Sequence, residues 1–146
     1  MMLEVVETRD VERISRLLLI KEIKMGLLTH DLDPSKLEDE RVIFYILRAE
    51  DEDVGIVIFF NLSLKDKKGL YGVDIGFVNR IRGMVAKKLA QMAKIIFLTE
   101  HDGARIMARI ARKHRASRCF AKWLGFEDFS TDDFHYYMEM KDGRDG

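Results

Sequence analysis

Residues 70–98 read LYGVDIGFVNRIRGMVAKKLAQMAKIIFL, a strand-like segment followed by a basic turn and a long helix-like segment. Every second residue from Tyr71 to Phe77 is large and apolar, and between them stand two glycines and Asp74. This alternation predicts a strand with one packed face and one face of small residues, which we expect to line a cleft. The helix is predicted from about Gly83 to Leu98, with its buried face formed by Met84, Val85, Leu89, Met92, Ile96 and Phe97.

The turn between strand and helix contains Arg80, Arg82 and Gly83. Phosphates bind where a strand passes into a helix, because the first helical N–H groups have no intrahelical partner and the helix dipole favours negative charge there. Glycine lets the backbone approach closely, and arginine adds charged hydrogen bonds. The same residues are also typical of a solvated basic turn, so both interpretations stay open at this point.

The segments around this core element predict further strands and helices. Asp10 caps one continuous helix over residues 11–25, and Pro34 begins a short helix over residues 34–40. Two β-rich runs joined by DED at residues 51–53 indicate an antiparallel hairpin. The remaining runs predict strands in LEVVETR, ARIMARI and HYYMEMK, and a helix in HRASRCFAKWLGF that ends at Gly125.

The order of these elements predicts an α/β protein of the mixed α+β type. We expect a single central mixed, largely antiparallel sheet of six to seven strands, with about four helices on both faces. Residues 1–141 form one domain in this interpretation, and the charged residues 142–146 form a disordered tail.

The composition excludes several classes of protein. The 146 residues carry 25 basic and 25 acidic side chains, and this balance argues against a general nucleic-acid binder. A basic run over residues 105–118 is split between the two faces of a predicted strand. The apolar run over residues 54–60 is far shorter than the roughly 20 residues of a membrane helix. One cysteine and no metal-ligand spacing among the histidines predict a cytoplasmic protein without a metal site.

The basic turn and two later segments together resemble the GNAT superfamily of acyl-CoA-dependent N-acetyltransferases. Residues 80–85 occupy the place of the family's pyrophosphate motif, Gln/Arg-x-x-Gly-x-Gly/Ala, after the fourth strand. Residues 115–117, RAS, and 124–126, LGF, have the spacing of a second family segment, and the hairpin around Gly55 resembles the family's second and third strands. The chain is similar in particular to small acetyltransferase-like proteins often encoded by phages.

This resemblance implies direct transfer of an acetyl group from acetyl-CoA to the amine of a small-molecule or peptide acceptor. Acetyl-CoA is implied to lie in a gap between the fourth and fifth strands, and a homodimer is left open. The residues implied to bind acetyl-CoA are Phe77, Val78, Asn79, Arg80, Arg82, Gly83, Met84, Val85, Ala86, Lys87 and Ser117.

Two residues are candidates for proton transfer in such a reaction. Asp74 is the candidate base, and the alternative is a polar residue at a solvent-facing strand edge. Ala121 stands where many family members carry a tyrosine acid, so His114 is the candidate acid in its place. Val85 and Ala121 both depart from the family pattern, and they leave open a catalytically degenerate binding or structural protein, phage-derived in origin.

A few further side chains carry weaker expectations. His30 lies in a loop that the resemblance places near the acceptor. Cys119, Phe120 and Trp123 are expected to be packing residues of the last helix. The aromatic residues of the C-terminal region either pack the end of the sheet, which we favour, or face a partner; they are Phe129, Phe134, Tyr136 and Tyr137.

Overall fold

The computed structural model describes residues 2–26, 41–62 and 69–140. One seven-stranded sheet has the strand order β1-β2-β3-β4-β5-β7-β6, and every neighbouring pair is antiparallel except β4 and β5. In chain order the elements are β1 Leu3–Glu7, α1 Val11–Leu18, α2 Lys21–Gly26, β2 Val42–Ala49, β3 Glu52–Asn61, β4 Leu70–Phe77, α3 Met84–Glu100, β5 Arg105–Ala111, α4 Arg115–Leu124, β6 Glu127–Thr131 and β7 His135–Met140.

Helices cover both faces of this sheet, as the sequence predicts. Gly76 of β4 faces α2, where an added Cβ would meet Ile23 at 3.0 Å. Tyr71 of the same strand points the other way and packs edge-on against Phe97 of α3, with ring centroids 4.8 Å apart. The mixed, largely antiparallel fold class is therefore confirmed.

Aromatic rings form the centre of the core on the α3 face. Phe97 stacks on Phe59 of β3 with ring centroids 3.9 Å apart, and Tyr45 meets Phe59 edge-on. His101 stacks on the other side of the cluster, 4.4 Å from Phe97. These contacts fix the C-terminal part of α3 against β3 and the beginning of β4.

The prediction of one continuous helix over residues 11–25 is wrong. Helix α1 ends at Leu18, and α2 begins separately at Lys21. The apolar run LLLI at residues 17–20 would point to several sides of a single straight helix, which can bury only one face. Leu19 instead lies between the two helices and is 78% exposed. The break lets Ile23 reach the sheet, where it is fully buried against β4.

Strand β6 is present in the structure, but no individual strand was predicted for its residues. All five of its residues, EDFST, are exposed, so it has no apolar periodicity to detect. A turn holds it beside β7: Oδ1 of Asp132 accepts from the N–H groups of Phe134 and His135 at 2.8 and 2.7 Å. Aspartate is typical of such turns, so Asp132 was the residue from which this turn could have been predicted.

An ion-pair cluster joins α1 to the hairpin of β2 and β3. Asp53 accepts from Nε and Nη2 of Arg13 at 2.7 and 2.9 Å, and from Nε of Arg48 at 2.9 Å. The hydrogen bond from Arg13 is the main cause that lowers the pKa of the Asp53 carboxyl. Bidentate arginine–carboxylate pairs are among the strongest of protein hydrogen bonds.

We expect Asp53→Asn to lower the free energy of unfolding by about 1–3 kcal/mol near neutral pH. Because the pKa of Asp53 is lowered in the folded state, its stabilisation exists above the unfolded pKa of about 3.9 and is lost as the pH falls through the folded value. Urea unfolding at several pH values measures the difference between the two proteins. If the ion-pair cluster stabilises the fold as described, the difference in free energy of unfolding shrinks at acid pH. A difference that does not change with pH would contradict this explanation.

Some predictions fall on residues outside the described ranges. They are the helix at residues 34–40, the role of His30 and the C-terminal tail at residues 142–146.

Candidate active site

Strands β4 and β5 lie side by side only at their beginnings. Their parallel pairing covers three residue pairs, from Leu70 with Arg105 to Gly72 with Met107. Beyond these pairs, β4 stays paired with β3 as far as Phe77, and β5 stays paired with β7 as far as Ala111. Among the described residues no strand fills the space between the two edges, so a cleft opens there.

A cavity of about 320 Å³ occupies this cleft. Its walls come mainly from β3, β4, β5, β7, α3 and α4, and they are mostly apolar, as is usual for sites that bind small molecules. The polar or charged residues that line it are Asp74, Lys94, Arg109, His114 and Ser117.

Asp74 is the candidate base, and this residue borders the cavity at the free edge of β4, with its side chain on the same strand face as Gly72 and Gly76. Its side chain is 6% exposed, and it is the one buried charged residue in the described part of the chain. The alternative interpretation, a polar residue on a solvent-facing edge, is therefore wrong. A buried carboxylate beside a cleft is a candidate functional group, because perturbed ionisable groups cluster at functional sites.

The glycine face of β4 is occupied by protein, which corrects one prediction. We expected the small residues to leave room for a ligand, yet Gly76 lies directly under Ile23 of α2, and Gly72 lies under Leu62. The cleft instead lies along the free edge of β4 between Val73 and Phe77.

We expect Gly76→Ala to lower the free energy of unfolding by about 1–3 kcal/mol, because overpacking forces neighbouring groups to move. The new Cβ would lie 3.0 Å from Cγ2 and 3.2 Å from the carbonyl oxygen of Ile23. Gly72→Ala is the matched control on the same face, since its nearest neighbour would be a leucine methyl at 3.4 Å, an ordinary contact. Urea unfolding compares the two, and equal losses of stability would show that α2 does not pack tightly here.

The basic turn at residues 78–83 links the open end of the cleft to α3. Gly83 is the N-cap of α3 at φ 63° and ψ −133°, and no side chain in the described ranges caps the helix. An added Cβ at Gly83 would meet nothing within 4 Å in the described structure. The first turn of α3 contains no acid, so its N–H groups and dipole are available to an anion.

The two arginines of this turn are engaged with the protein. Arg80 forms an ion pair with Glu52 of β3, and Nε of Arg82 donates to the Asn79 carbonyl at 2.7 Å. Both side chains are exposed, and an exposed ion pair of this kind contributes little to stability. An anion at the beginning of α3 would therefore compete only with weak contacts for the two arginines.

The first residues of α3 divide between solvent and core. Met84, expected in the buried face, is 55% exposed, so that part of the prediction is wrong. Val85 packs partly buried against the hydrophobic core, and Ala86 is buried. Nζ of Lys87 lies 5.3 Å from the centre of the Trp123 ring on α4.

The beginning of α4 brings the second candidate catalytic residue to the cleft. His114 is the N-cap of α4 without a side-chain capping bond, and it lines the cavity together with Ser117. Ala121, one turn further along, is buried and also lines the cavity. The structure thus brings Asp74, His114, Ser117 and Phe77 around one space.

Lys94 is a lining residue that the sequence analysis missed. Its Nζ donates to the carbonyl oxygen of Leu124 at 2.9 Å, at the C-terminal end of α4. Burial lowers the pKa of the Lys94 ammonium group. The signal in the sequence is a lysine four residues after Ala90, on the face of α3 that otherwise carries alanine, leucine and phenylalanine.

Several other expectations about α4 and the C-terminal strands need correction. Trp123 and Cys119 are exposed, so neither is a core residue, whereas Phe120 packs partly buried against the core. Phe129 and Phe134 are also exposed, so the favoured packing is wrong for these two, whereas Tyr136 packs partly buried against the core.

Part of the basic run at residues 105–118 is neutralised within the protein. Arg105 pairs with Glu139 at 2.5 Å, and Arg118 pairs with Asp128. Arg118 and Arg112 also lie over the ring of Tyr136. Of the described residues, no group of three or more His, Cys, Asp or Glu is arranged to hold a metal, and no helix is long and apolar enough to cross a membrane.

The amino-acid sequence matches no protein-family model and no curated protein. Solved structures do match it. A mutant of the spermidine N-acetyltransferase SpeG from Vibrio cholerae is 13% identical, with a TM-score of 0.75, and the match covers 97% of this chain and 95% of that one. The Campylobacter jejuni N-acetyltransferase PseH, in complex with acetyl coenzyme A, is 15% identical with a TM-score of 0.66 over 96% and 99%.

An aminoglycoside-bound structure belongs to the same group. The enzyme AAC(6')-Ib, in complex with paromomycin and acetyl-CoA, is 14% identical with a TM-score of 0.69, and the match covers 95% of this chain and 93% of that one. Matches over nearly the whole chain show that this protein has the GNAT N-acetyltransferase fold. At these identities the comparison establishes the fold, while the activity has to be argued from the site.

Proposed function

We propose that this protein is an N-acetyltransferase that transfers an acetyl group from acetyl-CoA to the amine of an acceptor. The observation that supports this most is the divergence of β4 and β5, which opens a cleft with Asp74 in its wall and the uncapped beginning of α3 directly after its open end. The solved structures with the same fold include N-acetyltransferases in complex with acetyl-CoA.

The beginning of α3 is the proposed site for the pyrophosphate of acetyl-CoA. The N–H groups of Met84, Val85 and Ala86 belong to the first turn, where helical N–H groups lack intrahelical acceptors. Val85 packs against the core, so its side chain does not have to lie between these groups and a phosphate. Arg80 and Arg82 would add charge by exchanging their present weak contacts for the phosphates.

The free edge of β4 is the proposed site for the pantetheine arm. Backbone groups of Phe77, Val78 and Asn79 lie at or just beyond the end of this strand, and Val78 already donates its N–H to Val54 on β3 at 2.9 Å. A backbone N–H at this edge would polarise the thioester carbonyl, as in other acyl transfers. Ser117 of α4 faces the same cavity and would contact the arm from the other side.

The chemical step needs a base, which we assign to Asp74. The acceptor amine attacks the thioester carbon, a C–N bond forms, and Asp74 removes the amine proton directly or through water. The C–S bond then breaks, and the departing thiolate takes a proton from His114 or from solvent. Both residues border the cavity where the thioester would lie.

The proposal specifies the acceptor only as a molecule with an amine group. The solved structures with this fold include a spermidine N-acetyltransferase and a complex with the aminoglycoside paromomycin, and both of these small molecules are amines. The experiment measures thiol release from acetyl-CoA with a panel of polyamines, aminoglycosides and peptide N-termini. Release that depends on the amine and saturates with acetyl-CoA is the expected result, and no release with any amine would count against catalysis.

The site also bears on the catalytically degenerate alternative. Val85 and Ala121, which depart from the family pattern, suggested a protein that has lost catalysis. Because Val85 packs against the core, its side chain is no longer a reason for that alternative. Cofactor binding without turnover of any amine would favour that alternative. The single cysteine is free, which fits a reducing compartment, and we place the reaction in the cytoplasm.

A further inference from the structure

Lys94 lies at the closed end of the cavity, away from the proposed thiol-release groups. Its partner Leu124 lines the cavity together with Ile106, Phe126 and Met140. Ile106 pairs with Tyr71 on one side and with Met140 on the other, in the part of the sheet where β4 and β5 are still adjacent. The open end, in contrast, is lined by Phe77 and His114. An acyl group that extends beyond the thioester would therefore point towards Lys94.

This lysine has no acidic partner in the part of the chain that the structure describes. Arg118 of α4, in contrast, pairs with Asp128. Among the described residues Lys94 donates to a single backbone carbonyl, so two of its three donors remain for a ligand. Placing a cation in a mainly apolar wall is costly, and an anionic group of a ligand would offset that cost.

From this geometry we infer that the cleft accepts a second class of donor, coenzyme A thioesters whose acyl group ends in a carboxylate. Lys94 would bind the terminal carboxylate of a short dicarboxylic acyl group such as succinyl. The inference rests on the proposed function. The reaction keeps the same balance: a C–N bond forms, the C–S bond breaks, the thiolate is protonated, and the terminal carboxylate is unchanged.

The apolar walls favour the acyl group over the acceptor as the source of the carboxylate. Side chains of Ile106, Leu124 and Phe126 surround the space before Lys94, and methylene groups fit such walls. A succinyl group places two methylenes between the thioester and its carboxylate. Burying them there places the carboxylate near the ammonium group.

The experiment compares succinyl-CoA with butyryl-CoA by calorimetric titration of the full chain. The two donors have acyl chains of the same length, and a carboxylate in one replaces a methyl group in the other. We expect succinyl-CoA to bind about tenfold more tightly, which is the typical effect of one charged hydrogen bond. Lys94→Met should remove this advantage while butyryl-CoA binds as before, and Lys94→Arg should retain it.

Lys88→Met is the matched control, because Lys88 lies on the exposed side of the same helix and should leave the preference unchanged. If both esters bind equally to the unmodified protein, the inference is wrong although the proposed function stands. If no coenzyme A ester binds, the proposed function fails together with it. If CoA-saturated protein binds 4-aminobutyrate while succinyl-CoA has no advantage, the cation serves the acceptor, which also overturns the inference.

Discussion

Replacing Gly83 by aspartate is expected to weaken acetyl-CoA binding by about 100-fold. A carboxylate at the first N–H groups of α3 would repel the pyrophosphate, and two unit charges 4 Å apart repel by about 4 kcal/mol near a protein surface. Gly83 also has φ 63° and ψ −133°, which costs a residue with a side chain about 1–3 kcal/mol. Calorimetric titration measures the loss of affinity, and thermal unfolding measures the strain.

The two effects can be separated with a matched glycine at the other end of α3. Gly103 also has a positive φ, 78°, and an added Cβ there would likewise meet nothing within 4 Å in the described structure. Gly103→Asp should therefore destabilise the protein by a similar amount and leave the affinity for acetyl-CoA unchanged. Equal losses of affinity in both variants would show that strain, and not a phosphate site at Gly83, causes the effect.

Replacing Asp74 by asparagine is expected to reduce kcat by about 100- to 10,000-fold, the usual contribution of a general base. Asparagine keeps the shape of the side chain and removes its ability to accept a proton. Acetyl-CoA should bind with unchanged affinity, because the proposed phosphate site lies in another element. In the variant the rate should rise with pH, since the acceptor amine must then lose its proton to solvent, with a pKa of about 10 for a lysine-like amine.

Asp53→Asn serves as the control for this substitution. Asp53 is also an aspartate of low exposure, but it lies in the ion-pair cluster with Arg13 and Arg48, away from the cavity walls. The Asp53→Asn variant should therefore be less stable than the unmodified protein but have the same kcat. Wild-type turnover in Asp74→Asn would remove Asp74 from the mechanism.

The sequence was sufficient to predict β4 and α3, the two elements that organise the cleft. The alternation in β4 and the long apolar face of α3 are strong periodic signals, and the glycine at residue 83 marks the place where one passes into the other. The burial of Asp74 was not visible, because it depends on α2 covering the face that also carries Gly76. Strand pattern alone does not show which face another helix will cover.

Other features required the three-dimensional structure for identifiable reasons. Strand β6 has no buried residues, so pairing with β7 and the turn at Asp132 hold it where no periodicity indicated a strand. The importance of Lys94 arises from α4, which is distant in sequence and brings the carbonyl of Leu124 to its ammonium group. The separate helix α2 likewise packs on a residue distant in sequence, since Ile23 lies buried over Gly76 of β4.

The central claim is that the cleft between β4 and β5 binds a coenzyme A thioester, and calorimetric titration of the full chain with acetyl-CoA tests it most directly. We predict saturable binding at one site per chain, accompanied by an increase in thermal stability. At 100 times the dissociation constant the stabilisation should reach about 2.7 kcal/mol. No binding heat and no change in the unfolding temperature at millimolar acetyl-CoA would contradict the account.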